Sequence, residues 1–457
     1  MESVQTDRTK ELETSSISRL LWVYAVPAIV SQVIASVYNI VDRVFLGQCV
    51  SALAITGLGI TMPVMNIVHA FGSLVGAGSS ARMSIVLGKK DVKWAESILG
   101  NSMLLTFFFG FLFVTGGYVF MDDILKLFGA SADTISFARE YMRIVLPGMF
   151  FTTLTFNLTG LIRASGYPNK SMWILVGGAV LNIILDAVFI YYLDLGISGA
   201  AWATTISMAV SSVFAVAHFV LRSSFIRFRR HCWAPKLYIF RNIILIGLSP
   251  FLMNLAGSAV VALLNRQLIR FGGDLAVGAN VIVNSFAGIV LMLFLGLCMG
   301  MQPIAGYNYG AGHPDRLKKV YLLSMKICVV TGFVGAVLAL TIPRLIAMAF
   351  TNDGQLLDLA VPALRYILVM APLVGFTVVN SQFFQSIDKP WIAIVTSLSR
   401  QVIFLIPMMY LLPAFFVNMG WDGLTGIWLS CTTCDTLGAV LAAVLLFAQR
   451  KVFRSAR

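Results

Sequence analysis

Apolar runs near the ~20-residue length that spans a bilayer recur twelve times in this chain. They begin near Leu20, Ala52, Ser97, Phe137, Ser171, Ser198, Asn242, Leu275, Lys318, Pro362, Trp391 and Trp421. The bilayer core has no water to satisfy backbone polar groups, so such runs must cross it as helices. The sequence therefore predicts an all-α polytopic membrane protein with twelve transmembrane helices, numbered here as spans 1 to 12.

The composition agrees with this reading. Of 457 residues, 58% are hydrophobic and only 12% are charged, whereas about a quarter of residues are charged in a soluble domain. Residues 1–18 mix acidic and basic side chains, and they lack a small-residue cleavage site. We therefore expect a cytoplasmic N-terminal tail rather than a signal peptide, with span 1 retained as an anchor.

Basic residues are concentrated in alternate loops. The segment between spans 6 and 7 contains Arg222, Arg227, Arg229, Arg230, Lys236 and Arg241. The loop between spans 3 and 4 contains Asp122 and Asp123 instead. The positive-inside rule then predicts that both termini lie in the cytoplasm, and the expected location is the plasma (bacterial inner) membrane. The net charge of +13 thus needs no nucleic-acid partner, and the basic loop is expected to touch anionic lipid.

The chain also repeats itself. Matching residues lie 222 to 225 positions apart, as in Pro27 and Pro250, Gly88 and Gly310, Pro147 and Pro372, and Pro168 and Pro390. The repeat predicts six-helix bundles at 19–221 and 242–447, a basic cytoplasmic linker at 222–241 and a basic tail at 448–457. Six is an even number, so both bundles enter the membrane in the same sense. We expect a parallel pseudo-twofold repeat around a central cavity, an architecture typical of transporters.

Acidic residues inside the spans are few: Asp42 in span 1, Asp186 in span 5 and Asp435 in span 12. A charge at the bilayer centre costs about 2.5–3.5 kcal/mol on insertion scales, and such residues are usually functional. Asn182 precedes Asp186 by four residues and shares its helix face. Asp42 and Asp186 lie about 30 Å and about 20 Å from the cytoplasmic side at 1.5 Å per residue. The second half has no equivalent acid pair, so we expect any ion site in the first half.

Other polar residues in the spans admit structural explanations. Asp435 and Arg400 lie about 18 Å and about 13 Å above the cytoplasmic face by the same rise, which predicts a structural ion pair. Asp42 could instead be an outer-end residue near the headgroups. Pro27 could bend span 1 as part of a gate, or form a static kink.

Three segments of the sequence resemble one transporter family. They are PAIVSQVIASVYNIVDRVFLG at 27–47, NLTGLIRASGYP at 157–168 and LNIILDAVFIYYLDLGISGAAWAT at 181–204. Together they are similar to the multidrug and toxic compound extrusion (MATE) transporters, over essentially all twelve spans. The resemblance implies secondary active efflux of amphipathic, mostly cationic compounds by antiport with H⁺ or Na⁺.

The resemblance also implies a site. The cation-coupling residues would be Asp42, Asn157, Asn182, Asp186 and Thr204. No cofactor is expected besides the coupling ion, and no metal beyond a possible Na⁺ at this site. Taken alone, Asn157 and Thr204 could form ordinary interhelical hydrogen bonds. Some branches of the family use an acid on span 7, where this chain has Asn265, so we expect no second-half site of that type.

Two other function classes fit less well. A flippase for lipid-linked or polyisoprenoid-linked precursors could share the helix count, but the intramembrane bases are too scattered to form a groove for phosphates. An enzyme is not expected, because the four histidines lack metal-ligand spacing and no nucleophile–base pair is evident. The six cysteines are expected to be buried thiols. We expect a monomer that handles drug-like small molecules and contacts membrane lipids.

Overall fold

The fold is known from a computed structural model that describes residues 11–49, 52–131, 134–221 and 224–453. Within these ranges, the side chains of residues 39, 40, 42–49 and 52–56 are not described. All regular structure in the described ranges is helical, and it is mostly α-helix with short 3₁₀ and π segments. The prediction of an all-α membrane protein is therefore confirmed.

Twelve crossings follow from the helix lengths. Ten helices in the described residues are long and apolar enough to cross a membrane, and one further pair, bent by 49°, passes the same test together. One of the ten, Leu237–Gly310, has 74 residues, and Gly273 interrupts it with a φ of 66°. At 1.5 Å per residue this helix is about 110 Å long, so it must contain two crossings of a ~30 Å core. Together with the bent pair, this second crossing brings the spans of the described ranges to twelve.

The spans can now be given their observed bounds. Spans 1 to 6 are Ile17–Cys49, Ala52–Gly88, Val92–Val119, Ile135–Ala164, Pro168–Asp186 with the π-helical Ala187–Tyr192, and Gly196–Val220. Spans 7 and 8 share Leu237–Gly310, and span 9 is Pro314–Thr341. Span 10 is Gly354–Leu368 plus Ala371–Ser386, span 11 is Pro390–Leu398, the π-helical Ser399–Leu405 and Ile406–Asn418, and span 12 is Gly423–Ala448.

The short helices Met121–Leu127 and Pro343–Met348 lie in the connections that precede spans 4 and 10, and 3₁₀ turns form at Arg230–Trp233 and Arg450–Phe453. Most predicted starts fall within about five residues of the observed ones, as expected for apolar windows set inside longer helices. Span 10 begins at Gly354 rather than near Pro362. Its first turns carry Gln355 and Asp358, which hide the start from a hydropathy count.

The backbone repeats the internal similarity of the sequence. Left-handed φ values recur at equivalent connections: Lys90 (61°) and Gly312 (72°), Gly166 (96°) and Asp388 (60°), and Gly196 (55°) and Gly420 (78°). The members of each pair are separated by the repeat distance of the sequence. The two halves therefore turn in the same way at the ends of corresponding spans.

A hydrogen bond is repeated as well. Ser171 Oγ in span 5 donates to the Thr159 carbonyl oxygen in span 4 at 3.0 Å. In the second half Ser381 Oγ donates to the Ala393 carbonyl oxygen at 3.1 Å. Ser381 is the repeat partner of Thr159, and Ala393 is the repeat partner of Ser171. The same two positions are therefore joined in both halves. The donating hydroxyl lies on span 5 in the first half and on span 10, which corresponds to span 4, in the second.

The residues group into two compact units, each with its own apolar core. The first is mainly Val26–Phe251 with Met1–Ser16 and Gly306–Ala311, and the second is Ile17–Ala25, Leu252–Ala305 and Gly312–Arg457. In the first unit, one buried cluster joins spans 2, 4 and 6 around Tyr141. In the second, a cluster around Trp428 joins spans 7, 8, 9, 10 and 12. Polar side chains between the spans of the first unit stand out against this apolar background.

Candidate cation site

Asp186 lies at a change in helix geometry within span 5. The α-helical part of the span ends at this residue, and six π-helical residues, Ala187–Tyr192, continue it. π-helical turns are rare and frequently occur at functional sites. The Asp186 side chain and that of Asn182, one turn earlier, are both fully buried. A carboxylate therefore lies inside the first unit with an amide on its own helix face.

The Asn182 amide links Asp186 to span 6. With its nitrogen towards Asp186, Nδ2 donates to Asp186 Oδ2 at 3.2 Å and Oδ1 accepts from the Thr204 backbone N–H at 3.2 Å. The opposite orientation gives a 3.5 Å contact from Nδ2 to Thr204 Oγ1 and turns the amide oxygen towards the carboxylate. We assign the first orientation for the charged carboxylate because it satisfies both ends of the amide.

Thr204 is the third member of this group. It lies in span 6, is half-buried, and contacts Asn182 through either its backbone N–H or its hydroxyl. The structure thus brings together Asn182, Asp186 and Thr204 from two neighbouring spans. Their oxygen atoms are the ligand type that hard cations prefer.

Asn157 takes part in a different polar cluster. Its Oδ1 accepts from Ser79 Oγ at 2.7 Å, and its Nδ2 donates to Ser102 Oγ at 3.2 Å and to Thr106 Oγ1 at 3.1 Å. These three bonds run to spans 2 and 3, whereas Asp186 lies on span 5. All four side chains are buried. Asn157 therefore ties span 4 to spans 2 and 3.

The three hydroxyl groups around Asn157 were not predicted from the sequence. Ser102 and Thr106 are four residues apart and so share a face of span 3. This spacing is the one signal that could have singled them out. Ser79 has none, because serine is common in membrane helices and usually bonds to its own backbone.

Two expected residues lie in span 1. The Asp42 side chain lies outside the described residues, although its backbone belongs to the helix Ile17–Cys49. Pro27 lies inside the same helix, and its carbonyl oxygen accepts from Ser31 Oγ at 2.8 Å. Proline removes one helix hydrogen bond, and a serine bonded to the carbonyl four residues earlier often bends a helix further.

Comparison with known proteins identifies the family. The MatE family pattern matches residues 27–188 and 246–411, one segment in each half of the chain. These matches cover more than half of the sequence. The chain belongs to the MatE family.

Two relatives of this MatE chain are named for drug export. The multidrug export protein MepA of Staphylococcus saprophyticus subsp. saprophyticus is 26% identical over 438 residues, which is 96% of this chain and 95% of that protein. MepA of Staphylococcus aureus is 25% identical over 438 residues, with the same coverage of both chains.

Solved MATE structures share the fold. A MATE protein in its bent conformation has a TM-score of 0.90 and 23% identity, and 98% of each chain is covered. A multidrug resistance MATE family transporter of the MOP superfamily, in its outward-facing conformation, has a TM-score of 0.89 and 23% identity, with 97% of each chain covered. The chain is therefore an integral membrane protein with the MATE fold.

The second half of this MatE chain holds the expected charge pair. Arg400 Nη1 donates to Asp435 Oδ1 at 2.9 Å, and the two side chains are 20% and 5% exposed. Arg400 lies in the π-helical segment Ser399–Leu405 of span 11. Asp186 of span 5 and Arg400 of span 11 thus both lie at or next to a π-helical segment.

Proposed function

We propose that this protein is a secondary active multidrug exporter that expels amphipathic, mostly cationic compounds in exchange for H⁺ or Na⁺. Membership of the MatE family and the multidrug export relatives support this function. The observation that carries the ion-coupling part is the fully buried Asp186, which contacts neutral polar groups of Asn182 next to Thr204. A buried carboxylate beside neutral oxygen ligands suits reversible binding of a cation.

The Asn182 amide can serve either charge state of Asp186. The charged carboxylate accepts from Nδ2 at 3.2 Å. A protonated Asp186 would donate to the amide oxygen instead, and Nδ2 would then face Thr204 Oγ1 at 3.5 Å. Sodium would be held by oxygen atoms of the same three residues. Rotation of one amide thus gives the carboxyl group a hydrogen-bond partner in both charge states.

Discharging the carboxylate alters how the helices can pack. A charge buried in low dielectric is costly, and its loss permits contacts that the charged form would oppose. Inward flow of the cation supplies about 2.3 kcal/mol per charge per 100 mV. Pro27 would let span 1 bend and so move Asp42, the second carboxylate of the proposed site. Asn157 would position spans 2 and 3 around the proposed site through its bonds to Ser79, Ser102 and Thr106.

We place both termini and the 222–241 linker in the cytoplasm. The linker joins the proposed bundles at 19–221 and 242–447. Arg400 and Asp435 are proposed to hold spans 11 and 12 together rather than to carry ions. Membrane lipids and drug-like molecules are the proposed contacts of a monomer.

Transport in inverted membrane vesicles tests the function. Vesicles containing the protein should accumulate a fluorescent cationic drug when an outward-directed gradient of H⁺ or Na⁺ is imposed, because inversion turns export into uptake. Applying each gradient separately identifies the ion. Drug uptake at one and the same rate with the H⁺ gradient, with the Na⁺ gradient and with no gradient would overturn the proposal.

A further inference from the structure

The linker between spans 6 and 7 carries two potential metal ligands onto span 3. Its 3₁₀ turn, Arg230–Trp233, places His231 and Cys232 beside Glu96. His231 Nε2 lies 3.3 Å from Glu96 Oε2 and 3.8 Å from Cys232 Sγ. One ligand atom from each of the three residues lies within 4.8 Å of the other two. The turn thus gathers an imidazole, a thiol and a carboxylate at one point.

We propose that Glu96, His231 and Cys232 bind one Zn²⁺ ion. Zinc takes these three ligand types in tetrahedral geometry at about 2.0–2.3 Å. Such geometry separates nitrogen from oxygen by about 3.3 Å and nitrogen from sulfur by about 3.6 Å. The observed separations of 3.3 Å and 3.8 Å match these values closely. This site is independent of the proposed drug export.

The carboxylate is placed as a metal ligand rather than as a fully hydrogen-bonded buried acid. The Glu96 side chain is 2% exposed, and its Oε1 accepts no hydrogen bond among the described residues. Arg229 Nε lies 3.0 Å from Oε1, an ion-pair distance whose N–H direction does not complete a hydrogen bond. Oε2 faces His231, so one oxygen is held by a cation and the other points at the proposed ion.

The thiol has a suitable environment. Cys232 is fully buried, and its Sγ accepts from the Arg229 backbone N–H at 3.3 Å. Such a donor stabilises a metal-bound thiolate in the way that outer contacts usually support zinc ligands. A thiolate and a carboxylate together balance the charge of Zn²⁺. The His231 side chain is 42% exposed, which leaves a route for the ion and room for a water molecule as fourth ligand.

The linker backbone is fixed before any ion binds. Asn101 Nδ2 donates to the carbonyl oxygens of Cys232 at 3.4 Å and Ala234 at 3.1 Å, and Asn101 Oδ1 accepts from the Lys236 N–H at 2.8 Å. A Cβ at Gly100 would lie 2.1 Å from the Cys232 carbonyl oxygen, so only glycine allows this approach. The site is therefore held rigidly against span 3. No spacing in the sequence reveals it, because spans 4, 5 and 6 separate Glu96 from His231 along the chain.

Cobalt binding tests the proposal, with Co²⁺ as the spectroscopic probe. Full-length, tag-free protein in detergent is stripped with a chelator and titrated with Co²⁺. We expect one equivalent to bind with a thiolate-to-cobalt charge-transfer band and tetrahedral visible bands, and Zn²⁺ to displace it. Cys232→Ser should abolish the charge-transfer band. His231→Gln should retain the band but weaken binding by at least about tenfold.

The control is Cys431→Ser, the same substitution in span 12, which should retain both the band and the affinity. Absence of stoichiometric binding to the wild type, or a spectrum without the thiolate band, would overturn the site. A band that survives Cys232→Ser would overturn it as well. The wild-type spectrum decides the matter even if a variant does not fold.

Discussion

The Arg400–Asp435 contact of 2.9 Å places two opposite charges inside the second unit. Removing one member of a buried pair strands the other, and the cost is about 3–5 kcal/mol. We therefore expect Asp435→Asn to lower the melting temperature of the purified protein strongly. The double variant Arg400→Leu/Asp435→Leu should recover most of the loss, because apolar replacements of buried pairs are often neutral. Equal destabilisation by the single and double variants would show that the pair itself does not matter.

Asp122 gives a prediction about pH, in the connection before span 4. Both carboxylate oxygens accept from Arg139 at 2.9 Å, and this contact lowers the pKa of Asp122 below its usual 3.8. A lowered folded-state pKa adds stability that is present above pH 3.8 and is lost as the pH falls through the lower value. The melting temperature of Asp122→Asn should lie below that of the wild type at pH 7, and the gap should close in acid. Asp123→Asn is the neighbouring control.

At the residue scale, the sequence located charges better than hydroxyls. Asp186, Arg400 and Asp435 were found because a charge in an apolar run is costly and therefore rare. Asn182 followed from its four-residue spacing. Ser79 was missed because serine is tolerated throughout membrane helices, and Glu96 because its contacts lie in the distant linker between spans 6 and 7.

At the element scale, glycines let helices approach backbone to backbone. A Cβ at Gly247 would lie 1.8 Å from the Leu74 carbonyl oxygen, and one at Gly78 would lie 2.0 Å from that of Ile243. These reciprocal contacts join span 2 to the start of Leu237–Gly310 within the first unit. Small residues permit such close packing in membranes, where the hydrophobic effect does not drive helices together.

Alanine substitution tests this packing. Gly247→Ala should cost about 1–3 kcal/mol, because the backbone atoms that it meets cannot move aside without shifting a helix. The matched control is Gly116→Ala in span 3, where an added Cβ meets nothing within 4 Å. The melting temperature should fall for Gly247→Ala only. A fall of the same size in both variants would mean that helix flexibility, not close contact, makes glycine necessary.

Hydropathy predicted the number and order of the spans but not their irregularities. The π-helical segments Ala187–Tyr192 and Ser399–Leu405 are hidden because the spans that contain them still pass as continuous apolar runs. The 49° bend in span 10 is hidden in the same way. Each depends on packing against neighbouring spans, which a periodic pattern of one segment does not contain.

At the scale of the whole molecule, the internal repeat was the most predictive feature of the sequence. It predicted corresponding spans in the two halves. Paired residues with left-handed φ, such as Gly166 and Asp388, lie at the repeat distance from each other. The sequence also predicted that an acid and amide pair belongs to the first half only, because Asp186 and Asn182 have no counterparts at the repeat distance. Which ion binds is not encoded in the residue types, since carboxylate, amide and hydroxyl oxygens serve both H⁺ and Na⁺.

Membrane orientation gives a prediction for intact cells. Ala234 lies exposed in the 222–241 linker, and Leu127, before span 4, is 80% exposed. With the linker in the cytoplasm, a membrane-impermeant maleimide should label Leu127→Cys from outside and should label Ala234→Cys only after permeabilisation. Labelling of Ala234→Cys in intact cells would invert the proposed topology.

Asp186 is the proposed group that exchanges charge with the coupling ion. Asp186→Asn keeps the shape of the side chain and removes the charge, so the variant should fold with an unchanged or higher melting temperature. In inverted vesicles with an imposed H⁺ or Na⁺ gradient, we expect it to bind drug but to lose gradient-driven uptake. A stable Asp186→Asn protein that transports at the wild-type rate under the same gradient would contradict the proposed coupling role of Asp186.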